Sequence, residues 1–134
     1  MKTLRIVFAL GMGILGGVLL AQTEADFSGW MKQVAKSNGA LKGATDAKVV
    51  ATEAKNLEGI FKQVGAYFTA HGMPEAAKLA GDAQTNAAKA ATAAAGGTVD
   101  AAALAAIGGS CAGCHPAYRE KGSDGAYKIK GATK

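Results

Sequence analysis

The middle of the chain carries a spacing of apolar residues that commits it to a long amphipathic helix. After Asp46, a candidate helix N-cap, these residues advance in alternating steps of four and three: Val50, Ala54, Leu57, Phe61, Val64 and Phe68. Side chains three and four positions apart lie on one face of an α-helix. The pattern therefore predicts a helix with one core-facing side.

Two neighbouring segments also predict helices. The first segment runs from about Thr23 to Lys42, and its apolar stripe is interrupted by Asn38. The stripe consists of Phe27, Met31, Val34 and Leu41. Farther on, Pro74 suits the first position of another helix, which continues through an alanine-rich stretch to Ala95.

A fourth helix is predicted after the Gly96-Gly97 break, with Thr98 as its candidate N-cap. Its apolar stripe consists of Leu104, Ile107, Cys111, Cys114 and Tyr118. Four amphipathic segments joined by short turns predict an all-α fold, an antiparallel up-down-up-down four-helix bundle. Residues 22–134 are expected to form one domain, with a frayed tail from Gly122 to Lys134.

The first 21 residues have the pattern of a secretory signal peptide. Lys2 and Arg5 precede an apolar run from Ile6 to Leu20, which is short and glycine-rich for a membrane span of about 20 apolar residues. Cleavage is expected after Ala21, with Ala25 as the alternative position. The pattern predicts a periplasmic protein without stable membrane insertion after processing.

The charge of the chain is modestly positive. Its formal net charge is +5, and the loss of Lys2 and Arg5 lowers this to +3. The lysines are scattered along the predicted helices, so nucleic acid is not an expected partner. No cluster of catalytic acids, bases or nucleophiles is evident in the sequence, and the chain is not expected to be an enzyme.

The most specific motif is the stretch from Cys111 to His115, which reads CAGCH and holds both cysteines of the chain and one of its two histidines. It is typical of covalent haem attachment. On a helix, thiols three positions apart share a face and can reach two vinyl groups of one porphyrin, while His115 binds the iron. Export agrees with this interpretation, because haem of this type is attached to reduced thiols outside the cytoplasm.

Three other interpretations of the motif are disfavoured. Zinc prefers four protein ligands, and the chain offers only the two cysteines, His115 and the distant His71. A thioredoxin-type dithiol follows a strand, and no strand pattern precedes the motif. A disulfide between Cys111 and Cys114 would close a very short loop and stabilise the fold little.

The stretch from Cys111 to Arg119, CAGCHPAYR, resembles the C-terminal Cys-x-x-Cys-His-x-x-Tyr-Arg motif of the class II c-type cytochromes, the cytochrome c prime family. The resemblance extends over essentially the whole chain after residue 21. It implies one haem c between helices of the bundle, near the C-terminal helix, and the transfer of single electrons between redox proteins not identified by the sequence. It also implies an antiparallel homodimer that buries an apolar stripe on the first two helices.

The resemblance implies a second axial ligand as well. In this family the sixth coordination position faces a residue about ten positions before an apolar helix end, and Met31, ten before Leu41, falls there. Members with Met are similar to low-spin electron carriers, whereas Leu, Phe or Tyr leaves an iron that binds gases such as NO or CO. A thioether is also a soft ligand that stabilises ferrous iron. Met31 is predicted to ligate, the alternatives being core packing and a gas-binding function.

Two further residues near the motif are expected to contact the haem. Tyr118 is expected to pack against it with the hydroxyl at the rim. Arg119 is expected to pair with a propionate or to shield the His115 side of the iron, the alternative being a basic residue that stabilises the dipole at the helix end. The family commonly places Arg four residues before the sixth-position residue, where this chain has Phe27. The usual propionate partner is therefore missing.

Two aromatic residues outside the motif leave alternatives open. Trp30 either packs on the porphyrin or anchors its helix at the surface. His71 is either a distal ligand or a turn residue after Phe68, and its neighbour Gly72 favours the turn.

Overall fold

The computed structural model describes residues 22–131, so the predicted signal peptide and residues 132–134 lie outside the described residues. Over this range the fold is all-α, with four helices: α1 (Glu24–Leu41), α2 (Ala47–Ala70), α3 (Pro74–Ala95) and α4 (Ala101–Tyr118). Two short strands follow, β1 (Arg119–Lys121) and β2 (Tyr127–Ile129). Within residues 22–131, no helix combines the length and apolarity needed to cross a bilayer.

The first three helices begin where the sequence predicts. Thr23 and Asp26 form a capping box, in which the Thr23 amide donates to Asp26 Oδ2 at 2.8 Å and the Asp26 amide donates to Thr23 Oγ1 at 3.2 Å. Asp46 caps α2 by accepting a 2.8 Å hydrogen bond from the Lys48 amide. Pro74 occupies the start of α3, where its missing N–H removes no helical hydrogen bond.

The N-cap of α4 is Asp100, and the prediction of Thr98 was wrong. Asp100 Oδ1 accepts a 2.9 Å hydrogen bond from the Ala103 amide. The Thr98 amide instead donates to the Ala93 carbonyl at 2.9 Å, and Gly97, at a φ of 89°, donates to the Ala94 carbonyl. This pair of bonds closes the end of α3, so the break between the helices is longer than two glycines.

The segment after α4 is an ordered hairpin, so the expectation of a frayed tail from Gly122 was wrong over the described residues. β1 and β2 pair antiparallel, with Arg119 opposite Ile129 and Lys121 opposite Tyr127. Asp124 Oδ1 accepts a hydrogen bond from the Ala126 amide, and Gly125 supplies a positive φ of 81° for the turn. Ile129 packs on the core and ties the hairpin to the helices.

The core lies where consecutive helices pack on each other, α2 against α1 and α3, and α3 against α4. The six predicted seam positions of α2 are all buried, which confirms the seam. On α3 the buried side is made of alanines in the same alternating spacing: Ala76, Ala80, Ala83, Ala87, Ala90 and Ala94. Small side chains let α3 approach its neighbours closely, and the arrangement is compatible with a helical bundle.

Candidate functional site

A cavity of about 740 Å³ opens between the helices and the C-terminal hairpin. Its volume falls in the range of about 300–1,000 Å³ that is usual for ligand and cofactor sites. Apolar side chains from α1, α2, α3 and β2 form much of its wall: Phe27, Val34, Phe61, Val64, Phe68, Leu79 and Ile129. An occupant of this cavity therefore meets a largely apolar surface with polar groups placed at particular points.

Five motif residues line this cavity together: Cys111, Cys114, His115, Tyr118 and Arg119. The first four lie in the second half of α4, and Arg119 is its C-cap. The helical spacing places the two thiols and Tyr118 on the side that packs against the core cluster. The structure thus gathers the predicted attachment residues on one wall.

Met31 lines the same cavity from α1. Met31 is half-buried and packs against the core cluster. In the sequence it lies near the start of the described residues, whereas His115 lies near their end. The fold therefore brings a thioether and an imidazole to a common cavity. These are the two side chains that the sequence predicts as axial ligands.

Both cysteines are free, half-buried thiols. Burial raises the pKa of the Cys111 thiol, and a hydrogen bond from the Asn38 side chain partly offsets this effect. Burial also raises the pKa of the Cys114 thiol, and the nearby Cys111 raises it further. At neutral pH both residues therefore keep their protons and remain thiols.

The pKa of the His115 imidazole is shifted in the opposite direction, below its usual value. Burial lowers its pKa, because a charged imidazolium loses hydration there, and the positive charge of Arg119 lowers it further. The ring is therefore neutral at pH 7 and has a nitrogen lone pair available for a metal ion.

The C-terminal hairpin forms another part of the cavity wall, through Tyr127, Lys128 and Ile129. The guanidinium carbon of Arg119 lies 4.1 Å from the centre of the Tyr127 ring, which is a cation–π contact. This contact joins the end of α4 to β2 at the edge of the cavity.

Two candidate residues lie elsewhere. Within the described chain the cavity wall does not include Trp30, which packs edge-on against Phe27 and Tyr67 at centroid distances of 6.3 and 6.4 Å. His71 is the C-cap of α2, as the turn interpretation predicted. Its Nδ1 lies 2.8 Å from the Tyr67 carbonyl oxygen, and its ring stacks on Tyr67 at 4.0 Å.

The sequence reasoning missed Asn38 and the hairpin residues. Asn38 lines the cavity, and its side chain reaches the Cys111 thiol. Its position offered a signal, since a polar residue that interrupts a core-facing stripe is a candidate for a site. Tyr127 and Lys128 offered none, because their place at the cavity depends on a hairpin that was predicted as a frayed tail.

The donor set fits a haem better than a zinc ion. Among residues 22–131, no three His, Cys, Asp or Glu side chains lie close enough to hold a metal ion by themselves. A haem brings four ring nitrogens of its own and needs one or two ligands from the protein. Comparisons with protein-family models, curated proteins and solved structures found no match to this chain.

Proposed function

We propose that this chain is a periplasmic mono-haem c-type cytochrome that carries single electrons, with His115 and Met31 as the axial ligands. The observation that supports the proposal best is one cavity lined by two free thiols, a neutral imidazole and a thioether. The bound haem supplies the redox chemistry, because its iron takes up and releases one electron as it cycles between ferric and ferrous.

Cys111 and Cys114 attach the haem through two thioethers. Each thiol would add across one vinyl group of a bound haem, so that the sulfur would bond to one vinyl carbon and the proton would go to the other. The addition releases no group and needs no oxidant.

His115 and Met31 would hold the iron of a bound haem, one through an imidazole nitrogen and the other through a thioether sulfur. The neutral imidazole binds without first losing a proton, and the thioether favours the ferrous state. The apolar wall, with Phe61 and Phe68 among its members, would limit the access of water to a bound haem. Two ligands from separate helices would limit the change in haem geometry during electron transfer.

The proposal includes the finer architecture that the family resemblance implies. The helices form an antiparallel up-down-up-down bundle with the haem beside α4, and residues 1–21 direct export. The chain has no enzymatic activity of its own and exchanges electrons with other redox proteins. Two copies pair through α1 and α2, where Val49 of α2 is 40 % exposed.

The deciding experiment compares wild type with Met31→Ala after export with a haem-attachment system. Mass spectrometry of the peptide spanning Cys111 and Cys114 first establishes the adduct. We expect wild type to give a low-spin ferric spectrum with the weak far-red sulfur-to-iron band, and a ferrous form indifferent to carbon monoxide. Met31→Ala loses that band, becomes high-spin and binds carbon monoxide.

Met73→Leu is the matched control, because Met73 is buried at the start of α3 and is not among the described residues that line the cavity. It should keep the spectrum of wild type. A high-spin wild type that binds carbon monoxide at once, and that Met31→Ala leaves unchanged, would move the protein to the gas-binding class. A peptide without a haem adduct would overturn the cytochrome assignment itself.

A further inference from the structure

The C-terminal hairpin has no part in attachment or ligation, yet it forms a wall of the cavity. The lining includes Gly125, Ala126, Tyr127, Lys128 and Ile129 from its turn and its second strand. The backbone holds this segment in place, since the Lys130 amide donates to the Tyr118 carbonyl at 2.9 Å. The hairpin is thus fixed relative to α4 and to the motif.

The charged residues of the cavity are unevenly distributed. Over the described chain its lining has three cationic side chains, Lys32 on α1 and Arg119 and Lys128 on the hairpin, and a single carboxylate, Glu24. All four are exposed, whereas the inner wall is apolar. Such a cavity suits an occupant with an apolar body and an acidic edge.

The Arg119 guanidinium stacks on the ring of Tyr127, 4.1 Å from its centre. These two residues lie diagonally across the β1–β2 ladder, since Lys121 is opposite Tyr127 and Arg119 is opposite Ile129. Diagonal neighbours on one face of a hairpin are within reach of long and aromatic side chains. Tyr127 is 59 % exposed, so its ring contributes little to the core and serves mainly as a platform for the guanidinium.

We infer that the hairpin is the anion-binding part of the cofactor site, in which Arg119, positioned by the Tyr127 ring, and Lys128 bind the carboxylates of a porphyrin. The inference rests on the proposed function, because it takes a dicarboxylate porphyrin as the occupant. It assigns a role to Tyr127 and Lys128, which the motif from Cys111 to Arg119 does not include. Tyr127 is a positioning residue here, since it acts through Arg119.

The chemistry of these side chains agrees with the role. A guanidinium offers parallel N–H donors that match both oxygens of one carboxylate, and stacking on an aromatic ring leaves those edge donors free to bind. The ammonium group of Lys128, on its flexible side chain, can bind the second carboxylate. Positive charge close to the haem favours the ferrous state over the ferric state and therefore raises the midpoint potential.

The test uses the haem-attached protein and two matched pairs of variants. Tyr127→Leu removes the ring, whereas Tyr127→Phe keeps it. Lys128→Gln removes a cavity cation, whereas Lys130→Gln removes an exposed cation that is not among the described lining residues. Arg119→Gln completes the set. The readouts are the midpoint potential at pH 7 in low and high salt, and the haem carboxylate bending band in the resonance Raman spectrum.

We expect Tyr127→Leu, Arg119→Gln and Lys128→Gln to lower the midpoint potential and to shift the carboxylate band, with smaller differences in high salt. Tyr127→Phe and Lys130→Gln should match wild type. The comparison of Leu with Phe at position 127 needs no Arg119 variant, so it remains decisive if Arg119→Gln fails to mature.

Three results would overturn the inference. If Tyr127→Leu and Tyr127→Phe both match wild type, the ring does not position Arg119. If both lower the potential equally, the hydroxyl acts and the ring does not. If Lys128→Gln matches Lys130→Gln with haem attached, the hairpin is not the anion-binding part. A wild type without thioether-linked haem would refute the proposed function as well, which separates the two failures.

Discussion

Ser37 on α1 donates a 2.7 Å hydrogen bond from its hydroxyl to Glu53 Oε2 on α2. Ser37 is only 4 % exposed, and it is the one buried polar side chain among residues 22–131. The same carboxylate oxygen accepts a longer hydrogen bond, 3.4 Å, from Asn56 Nδ2. A charge-assisted bond thus joins α1 to α2.

Replacing Ser37 with Ala should lower the free energy of unfolding by about 1.5–3 kcal/mol, the usual effect of a lost hydrogen bond to a charged group. Urea denaturation of the variant measures this value. The exposed turn residue Ser123, changed to Ala, is the control and should stay within about 0.5 kcal/mol of wild type. Equal stabilities for the two variants would mean that water replaces the Ser37 hydroxyl at no cost.

The alanine side of α3 predicts a strong response to added volume. Ala87 is fully buried between the helices, so Ala87→Leu forces neighbouring side chains or backbone to move. We expect a loss of about 1–3 kcal/mol in unfolding free energy, measured by urea denaturation. Ala88→Leu, at a half-buried position outside the core clusters of the described chain, should have little effect. A variant at position 87 as stable as wild type would contradict the close approach of the helices.

The N-cap of α4 can be tested by comparing two substitutions. Asp100→Ala removes the carboxylate that accepts from the Ala103 amide, and should cost about 0.5–2 kcal/mol. Thr98→Ala leaves that bond and the Thr98 backbone bond to Ala93 in place, so it should cost less. Thermal unfolding followed by circular dichroism ranks the two variants. A larger loss for Thr98→Ala would reverse the assignment of the cap.

The lowered pKa of His115 predicts a pH dependence in the chain purified without haem. Burial and Arg119 disfavour the imidazolium in the folded state, so the unfolded chain binds more protons between pH 7 and 5. The His115 contribution to stability is therefore present at pH 7 and is lost as the pH falls. The effect is small, because the half-buried ring is still partly screened by solvent.

His115→Gln removes this titration and leaves the remaining groups unchanged. Urea midpoints measured at pH 7 and pH 5 should fall less in the variant than in wild type. An equal fall in both proteins would show that the ring is as well hydrated in the folded chain as in the unfolded one.

The helices were predictable from sequence because each leaves a local signature. The apolar seam of α2, the capping residue Asp46, and Pro74 act within one or two turns of chain, so the local sequence identifies them. The hairpin was not predictable in the same way. Its three-residue strands are stabilised by contacts with α4 and with the core through Ile129, and such contacts do not appear in a local pattern.

The candidate site likewise has a part that could be predicted from local sequence and a part that depends on tertiary packing. The spacing of Cys111, Cys114 and His115 is local and was readable, and the structure places all three on one wall of the cavity. The approach of Asn38 to Cys111 and of Arg119 to Tyr127 depends on how separate elements pack. Ligation by Met31 stays a prediction that its spectrum will decide.

The cavity is built from both ends of the described chain, and this has a consequence for unfolding. Under the proposed ligation, a haem bonded to Cys111 and coordinated by Met31 closes a covalent and coordinate loop around α2 and α3. Such a loop restricts the unfolded chain as a cross-link does, an effect on the order of 4 kcal/mol for a loop of this size. The cofactor would then cross-link the fold as well as carry electrons. Because a ferrous iron binds a thioether more tightly than a ferric iron does, reduction would strengthen the link between Met31 and α4. The reduced protein would therefore be more stable to unfolding than the oxidised protein.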